Sequence, residues 1–328
     1  MANKSSLIII RTLLARLSLG AFCSGQALAD ELGLSRTAVA NYIAQLQDLG
    51  LDIYSVKGRG YCLAHPITLL DAAEINTIEK NQRPPVLVHE ITDSTNNQLL
   101  QRLGKDAKPE LGTAIVAEAQ TEGRGRRGRN WYSPFGTNLY FSMYWHLNHG
   151  LQAAMGLSLV VGIAIVRTLQ AEYQITAKLK WPNDVYINQQ KVAGVLVELA
   201  GQVDAVCDAI IGIGLNVTMP IEATKRIDQP FTTLAAHTSK SINRNQLVIA
   251  LQTSLMEVLS EFCQHGFTPF VAEFNKVNQY QDKPIKVISS FEKIGVCRGV
   301  DKQGALLLDI DNRIEAIYGG EISVRGQD

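Results

Sequence analysis

The chain has 328 residues, 46% apolar and 19% charged, with 31 basic and 31 acidic side chains. That length predicts two or three domains, and the balance excludes a disordered chain, a dominantly basic nucleic-acid coat and an acidic tail. The five cysteines (Cys23, Cys62, Cys207, Cys263, Cys297) are scattered with no C-x-x-C pair, which argues against a disulfide framework or a zinc site and fits a reducing, cytoplasmic setting.

In chain order, Leu7, Ile10, Leu13, Leu14 and Leu17 recur at helical spacing. Arg11 and Arg16 interrupt this stretch, so it is not an export signal. Ser24 is placed to cap a short helix over Gln26–Leu32 that Gly33 stops, and Ser35 to cap a further helix ended by Gly50. Asp52–Val56 and Tyr61–Leu63 flank a Lys57-Gly58-Arg59-Gly60 turn and read as a β-hairpin wing. Residues 1–65 thus spell a winged helix-turn-helix. Its basic side chains (Lys4, Arg11, Arg16, Arg36, Lys57, Arg59) outnumber the acidic ones (Asp30, Glu31, Asp48, Asp52) by only two. Ser35, Arg36, Thr37, Asn41 and Gln45 on the second capped helix, with Lys57 and Arg59 on the wing, are the candidate DNA contacts. Asn41, Gln45 and Gln47 are of the type that reads base edges.

Pro66 and a helix near Leu69–Lys80 link this unit, over 66–83, to the rest, with a boundary at Asn81–Pro85. From 84 to about 280 strands and helices alternate in one mixed α/β domain. Val86–Glu90, Thr113–Glu118, Asn138–Trp145, Lys178–Tyr186, Val192–Leu199 and Ala209–Val217 read as strands. Thr95–Leu103, Leu151–Tyr173 and Asn243–His265 read as helices. The longest nearly apolar stretch, Ala153–Val166, contains glycines, ends at Arg167 and falls short of the ~20 residues that span a bilayer, so no membrane partner is expected. Over 281–328 closely spaced short strands (Ile285–Ile288, Gly295–Gly299, Ala305–Asp309, Ile314–Tyr318) suggest a small β-barrel.

Gly123–Gly128, GRGRRG, is the most informative segment. Its glycines let the backbone fold tightly around a ligand, and Arg124, Arg126, Arg127 and Arg129 offer forked donors for phosphate or carboxylate. Trp131 adds a stacking face. The spacing matches neither a P-loop nor a dinucleotide-binding fingerprint. A flexible RNA-binding segment and a solvated loop remain open on these residues alone. Lys180-Trp181-Pro182-Asn183-Asp184 sets a cation, an amide and a carboxylate at a turn where Pro182 interrupts a strand. A surface ion pair is the plain alternative there, as a surface position is for Lys191. Asp93-Ser94-Thr95-Asn96 is a helix N-cap signature, and such an N-terminus also presents N–H groups to a ligand. Gly212-Ile213-Gly214-Leu215-Asn216 ends a buried strand. No side-chain cluster suggests a resident metal.

Taken together, GRGRRGRNWYSPFGTNLYFSM (Gly123–Met143), KWPND (Lys180–Asp184), KVAGVLVE (Lys191–Glu198), GIGLNV (Gly212–Val217) and the late GGEIS (Gly319–Ser323) resemble the biotin protein ligases over nearly the full chain. The winged helix resembles their bifunctional class, in which the ligase also represses the biotin operon. The resemblance implies a multidomain α+β fold with a class II synthetase-like central domain and an SH3-like C-terminal barrel. It also implies biotin, ATP and Mg²⁺ as substrates and activating ion, a biotin carboxyl carrier protein of acetyl-CoA carboxylase as acceptor, and operator DNA as partner. Biotinyl-5′-AMP would be both intermediate and corepressor, promoting a homodimer.

Residue by residue, the resemblance implies that Ser94, Thr95, Asn96, Gln120, Gly123, Arg124 and Gly194 line the biotin site. Arg126 closes over the adenylate. Arg129, Trp131, Lys180, Asn183 and Asn216 meet the nucleotide, Trp131 against adenine. Lys191 reaches the biotin carboxylate and the α-phosphate, and Asp184 stands near Mg²⁺ or near the incoming lysine. Asn41-Tyr42 stand where a more basic helix is the family expectation. Two alternatives stay open at this point: a ligase whose winged helix is only an interaction module, and an effector-binding transcription factor without catalysis. Lys191 with the intact arginine–glycine loop favours catalysis over the latter.

Overall fold

The computed structural model describes residues 4–64, 67–77, 83–104, 108–147, 154–201, 207–289, 292–319 and 322–326. The chain opens with α1 (Lys4–Leu17), α2 (Gly25–Leu32) and α3 (Arg36–Asp48), then the antiparallel ribbon β1 (Ile53–Val56) and β2 (Gly60–Leu63). The expected caps form locally: Ala27 N–H donates to Ser24 Oγ at 3.0 Å and Ala38 N–H to Ser35 Oγ at 3.1 Å. Leu13, Leu14, Leu17, Leu28, Val39, Ile43 and Leu46 meet in the core of this unit, and Ala119 and Phe135 of the central part complete that core.

The end of α3 is seated on the segment 132–135. Phe135 N–H donates to the Leu49 carbonyl at 2.9 Å. Gly50 (φ +89°) lies so close to that segment that a Cβ there would stand 2.7 Å from Pro134 Cβ and 2.9 Å from the Tyr132 hydroxyl.

The linker helix starts later than the pattern suggests. α4 spans Ala72–Thr77, because Asp71 caps it by accepting from Ala73 and Glu74 N–H. Residues 78–82, with the end of the expected helix and part of the expected boundary, lie outside the described residues. So do 65–66, the expected start of the long helix at 151–153, and 320–321 of the GGEIS run. Ahead of α4 the strap is pinned by a buried pair: Arg244 Nη2 donates to Glu118 Oε2 at 2.6 Å and to the Thr68 carbonyl at 2.7 Å. Leu70 N–H donates to Glu118 Oε1 at 2.5 Å.

The central part is a seven-stranded sheet in the order β3-β4-β5-β9-β8-β7-β6. Its strands are β3 (Val86–Thr92), β4 (Ala114–Gln120), β5 (Leu139–Leu147), β6 (Lys178–Lys180), β7 (Asp184–Ile187), β8 (Gln190–Gly201) and β9 (Cys207–Leu215). Only β3 and β4 run parallel, joined through α5 (Thr95–Leu103). Alternation divides β9 cleanly. Ala209, Ile211, Ile213 and Leu215 pack with α6 (Ala154–Tyr173) and α7 (Arg244–His265), while Ile210 faces α5. The other face therefore carries Gly212, Gly214 and then Asn216.

Three expectations are corrected. Lys178–Tyr186 is not one strand: the chain turns at Trp181–Asn183, and β6 pairs back on β7 with Lys178 opposite Tyr186. A seven-residue helix, α8 (Val271–Val277), follows Pro269 where the sequence pattern predicts none. The tail has five strands rather than four: β10 (Pro284–Ile288), β11 (Glu292–Val300), β12 (Leu306–Ile310), β13 (Arg313–Ile317) and β14 (Ser323–Gly326). β14 is short and pairs back on β10, a long-range partner no local pattern announces. The sheet is antiparallel in the order β13-β12-β11-β10-β14, and among the described residues its two edges are not paired to close a barrel. It is fixed to the central sheet where Trp181 Nε1 donates to the Gly304 carbonyl at 3.0 Å. No described helix is long and apolar enough to cross a membrane.

Candidate functional site

A cleft of about 850 Å³ opens on the glycine-bearing face of β8 and β9. It is walled by the arginine–glycine loop, the Trp181–Asp184 turn, the segment 226–231 and the start of β14. At one end lies the start of α5. Ser94 is its N-cap residue but makes no capping hydrogen bond, contrary to the plain N-cap reading; it lines the cleft instead, 3% exposed. The hydrogen bonds run to its neighbours. Thr95 N–H donates to Gln120 Oε1 at 2.9 Å, and Ser142 Oγ donates to Asn96 Oδ1 at 2.5 Å.

Asp93 stiffens the turn from outside. Burial works to raise its carboxyl, but donors on Gln98, Asn97, Ser94 and Thr92 hold it down to about 2. Gln120 Nε2 donates onward to Ser133 Oγ at 3.1 Å, joining this end to the loop that carries the arginines.

That loop is a tight hairpin. Gly125 N–H donates to the Arg129 carbonyl at 2.7 Å, and Trp131 N–H to the Gly123 carbonyl at 2.8 Å. One 3₁₀ turn, Arg126–Gly128, sits at its tip, so the segment is folded, and β5 begins only at Leu139. Arg126 is half-buried and points inward: its Nη1 donates to Asn183 Oδ1 at 3.0 Å, and burial pulls the guanidinium below its ordinary value, opposed by Asp184. Asn183 is itself held by donating Nδ2 to the Val195 carbonyl at 2.8 Å. Arg124 and Arg129 lie at the exposed rim.

Trp131 explains the glycines of β9. A Cβ on Gly214 would stand 2.3 Å from Trp131 Cε2, and one on Gly212 would stand 2.4 Å from Asn96 Oδ1. Both side chains occupy space that only glycine leaves. Lys191 Nζ lies 5.3 Å from the Trp131 ring centroid and 2.8 Å from Asp184 Oδ1, with 13% and 19% of the two side chains exposed. Lys191 is therefore not the surface lysine of the plain reading. Its backbone is clamped too, since Lys191 N–H donates to the Pro230 carbonyl and Thr232 N–H to the Lys191 carbonyl, bringing 226–231 alongside. Lys180 is largely desolvated, which pulls its ammonium down against the opposing pull of Asp184, and it donates to the Tyr186 hydroxyl at 3.1 Å.

Two polar atoms here are buried without a hydrogen-bond partner, Trp131 Nε1 and Asn216 Oδ1. Asn216 is 3% exposed and spends its Nδ2 on the Thr232 carbonyl at 3.1 Å. Buried polar groups are normally hydrogen-bonded, and both of these belong to residues that line the cleft.

Every residue expected at the cleft lines it except Gly123. Gly123 stands behind the wall, where a Cβ would lie 2.6 Å from Ser133 Oγ and 2.6 Å from the Trp131 carbonyl, so it shapes the loop and offers no contact surface. Sequence reasoning missed Arg226, Phe231 and Arg325. Arg226 stacks 5.5 Å from the Tyr132 ring centroid, and Arg325 reaches in from β14; neither stands in a recognisable motif.

In the front unit, Ser35 at the N-cap and Arg36, Thr37, Asn41 and Gln45 on α3 are exposed, as are Lys57 and Arg59 on the ribbon turn. Arg59 lies over Phe22 at 4.2 Å. Gln47 does not join them, because its Nε2 donates to the Ile53 carbonyl at 2.8 Å and ties α3 to β1.

The arrangement sets a cationic, partly desolvated region beside a flat indole at one end, and neutral hydrogen-bonding groups with Arg124 at the rim at the other. None of the lining residues is Cys or His. That suits a nucleotide phosphate meeting a carboxylate, with no protein thiol or imidazole as nucleophile.

Comparison with known proteins agrees with this reading. Residues 88–216 match the Biotin/lipoate A/B protein ligase family, residues 10–62 an HTH domain and residues 282–325 the Biotin protein ligase C terminal domain. The chain is 42% identical to the bifunctional ligase/repressor BirA of Salmonella typhimurium, over 96% of this chain and 97% of that protein. It is 41% identical to that of Escherichia coli K12, over 95% and 96%. The biotin protein ligase of Aquifex aeolicus, solved in complex with biotin and ATP, superposes with a TM-score of 0.64 at 32% identity, covering 74% of this chain and 99% of that one.

Proposed function

This chain belongs to the biotin protein ligase family in its bifunctional ligase/repressor form, and on that premise we propose how its cleft carries out the reaction. The enzyme activates biotin with ATP to biotinyl-5′-AMP and transfers biotin to a lysine of a biotin carboxyl carrier domain. With the adenylate bound it represses biotin biosynthesis genes by binding operator DNA.

The observation that carries the assignment of sites is the convergence of Lys191, Trp131 and the two orphaned atoms on one wall. Ser94, Thr95, Asn96, Gln120, Arg124 and Gly194 hold biotin. Trp131 takes the adenine face, and Asn216 Oδ1 accepts from its amino group, which gives the orphan its donor. Arg129, Lys180 and Asn183 face the phosphates, Asn183 by aiming Arg126. Mg²⁺ fits as an ion brought by ATP. Asp184 and Asp228 are the carboxylates lining the cleft, and no cluster of three ligand side chains occurs among the described residues. An ion held mainly by phosphate oxygens and one or two carboxylates matches that donor set, and when bound it neutralises phosphate charge.

In the first step a biotin carboxylate oxygen bonds to the α-phosphorus while the bond to pyrophosphate breaks. Two anions must approach, and Lys191 and Arg126 offset the charge that peaks at the transition state. The product is an anhydride that water destroys, so the arginine–glycine loop folding over it is part of the chemistry. In the second step the carrier lysine, as neutral amine, bonds to the acyl carbon and AMP leaves. The test is biotin-dependent exchange of pyrophosphate into ATP with Mg²⁺ present; no exchange above background would refute the assignment.

Gly214→Ala provides a check on the nucleotide wall. The new methyl displaces Trp131, and stacking on one aromatic contributes about 1–3 kcal/mol per base. The KM for ATP should rise roughly 10–100-fold with the biotin KM little moved, as read by exchange kinetics.

The division into 1–65, 66–83, 84–280 and 281–328, the homodimer and a cytoplasmic location follow on the same premise. Few basic residues on α3 and the ribbon mean few phosphate contacts per copy, so two linked copies are needed for tight DNA binding. Biotinyl-AMP should tighten self-association and binding to the chain's own upstream DNA together, and biotin alone should do less. Sedimentation and gel-shift titrations across the two ligands measure this. An operator bound equally well without ligand would leave a ligase whose front helices serve another partner.

A further inference from the structure

We infer that Glu198 is a positioning residue for the ligase reaction: by fixing Arg124 it latches the stem of the arginine–glycine loop over the biotin end of the cleft. This rests on the ligase reading above. Glu198 lies on β8 with Gly194 and Leu196 on the cleft face of the strand, within a run of otherwise apolar residues. A carboxylate in such a place needs partners, and it has two, from different elements.

Asn96 Nδ2 donates to Glu198 Oε2 at 2.6 Å, and Arg124 Nη2 donates to Glu198 Oε1 at 3.1 Å. Both donors are held from behind. The Asn96 amide has its oxygen engaged by Ser142 Oγ at 2.5 Å, so its NH₂ must face Glu198. Arg124 Nη2 also donates to Asn97 Oδ1 at 2.6 Å, and Asn97 Nδ2 donates to Asp93 Oδ2 at 2.9 Å. The chain of bonds joins α5, β5, β8 and the loop.

Arg124 is where the loop closes on itself, since it pairs across the stem with Asn130. Holding Arg124 therefore holds the hairpin whose tip carries Arg126. The pair is part-exposed, 37% for Arg124 and 29% for Glu198, so it contributes little to global stability. What it sets is where the loop rests, and the energetic cost of losing it falls on ligand retention rather than on folding.

The test is Glu198→Gln, which keeps the shape and removes the charge, alone and combined with Arg124→Gln. Pyrophosphate exchange with biotin varied, dissociation of preformed biotinyl-AMP and thermal unfolding are measured on each full-length protein. Glu198→Gln should raise the biotin KM and the adenylate dissociation rate about tenfold, the worth of one charge-assisted hydrogen bond, with an unmoved thermal midpoint. The double variant should be no worse than Arg124→Gln, because one residue acts through the other. An unmoved biotin KM and dissociation rate, or additive losses in the double variant, would overturn the latch while the unsubstituted chain still exchanges. A lowered midpoint with both constants unmoved would make Glu198 purely structural and equally overturn it. No exchange by the unsubstituted chain would remove the ligase reading and this inference with it.

Discussion

Lys191→Ala should slow adenylate formation by roughly 10²–10³-fold at saturating substrates, the usual cost of losing one preorganised charge at a reacting centre. The geometry makes the effect specific. Lys191 Nζ is held between the Trp131 face and Asp184 Oδ1, and its backbone is clamped by Pro230 and Thr232, so its ammonium stands at a fixed place in the cleft. Substitution also leaves Asp184 without its ion-pair partner, adding negative charge where two anions must meet. Lys191→Arg should recover only part of the rate, because a planar fork does not fit where a compact ammonium stood. Initial rates of pyrophosphate exchange measure both variants. Near-normal exchange by Lys191→Ala would reduce Lys191 to a structural partner of Asp184.

The largest stability effect is expected at Arg244. Glu118 is fully buried and Arg244 is 4% exposed. Arg244→Met leaves an uncompensated buried carboxylate, which costs about 3–5 kcal/mol, a large share of the ~5–15 kcal/mol that holds a typical domain. The loss is local as well as global. Arg244 also donates to the Thr68 and Asn138 carbonyls, and Glu118 accepts from Leu70 N–H, so the strap ahead of α4 loses its anchor. Chemical denaturation should show the drop, and limited proteolysis should show faster cutting near 67–71. Replacing both partners, Glu118→Leu with Arg244→Met, should restore much of the stability, since the penalty lies in the unpaired charge. A single variant as stable as the parent would refute the buried pair as an anchor of the fold.

Features set by neighbours in sequence were legible from the sequence. Ser24 and Ser35 cap their helices because the hydroxyl and its target N–H are three residues apart. The wing and the long helix over 244–265 follow from turn chemistry and periodicity. What escaped depends on distant partners. The turn that splits Lys178–Tyr186 was signalled by Pro182, but the pairing of β6 back onto β7 was not. β14 is defined only by β10, far earlier in the chain. In the site, residue types alone left a solvated loop and a surface lysine open, and the shared cleft was legible only through the family resemblance. Gly212 and Gly214 matter as missing side chains, and only the placement of Asn96 and Trp131 against β9 reveals why. Gln47 looked as suited to reading bases as Gln45, until Ile53 took its amide.

The seating of the front unit has a consequence for how this protein is inherited. Its apolar interior is finished by Ala119 and Phe135, and Gly50 meets Pro134 and Tyr132 too closely for any larger residue. The reading head and its saddle must therefore drift as one: a change at Gly50 calls for an answer at Pro134, and Phe135 has one owner but two users. A foreign winged helix spliced in at residue 65 arrives without its seat, whereas a graft that carries the 132–135 segment along alters the approach to Trp131. Recombination at that seam is hindered from both sides, which leaves substitution on the exposed faces of α3 and the ribbon turn, where the side chains of Asn41, Gln45, Lys57 and Arg59 stand in solvent, as the open route to a changed outer surface.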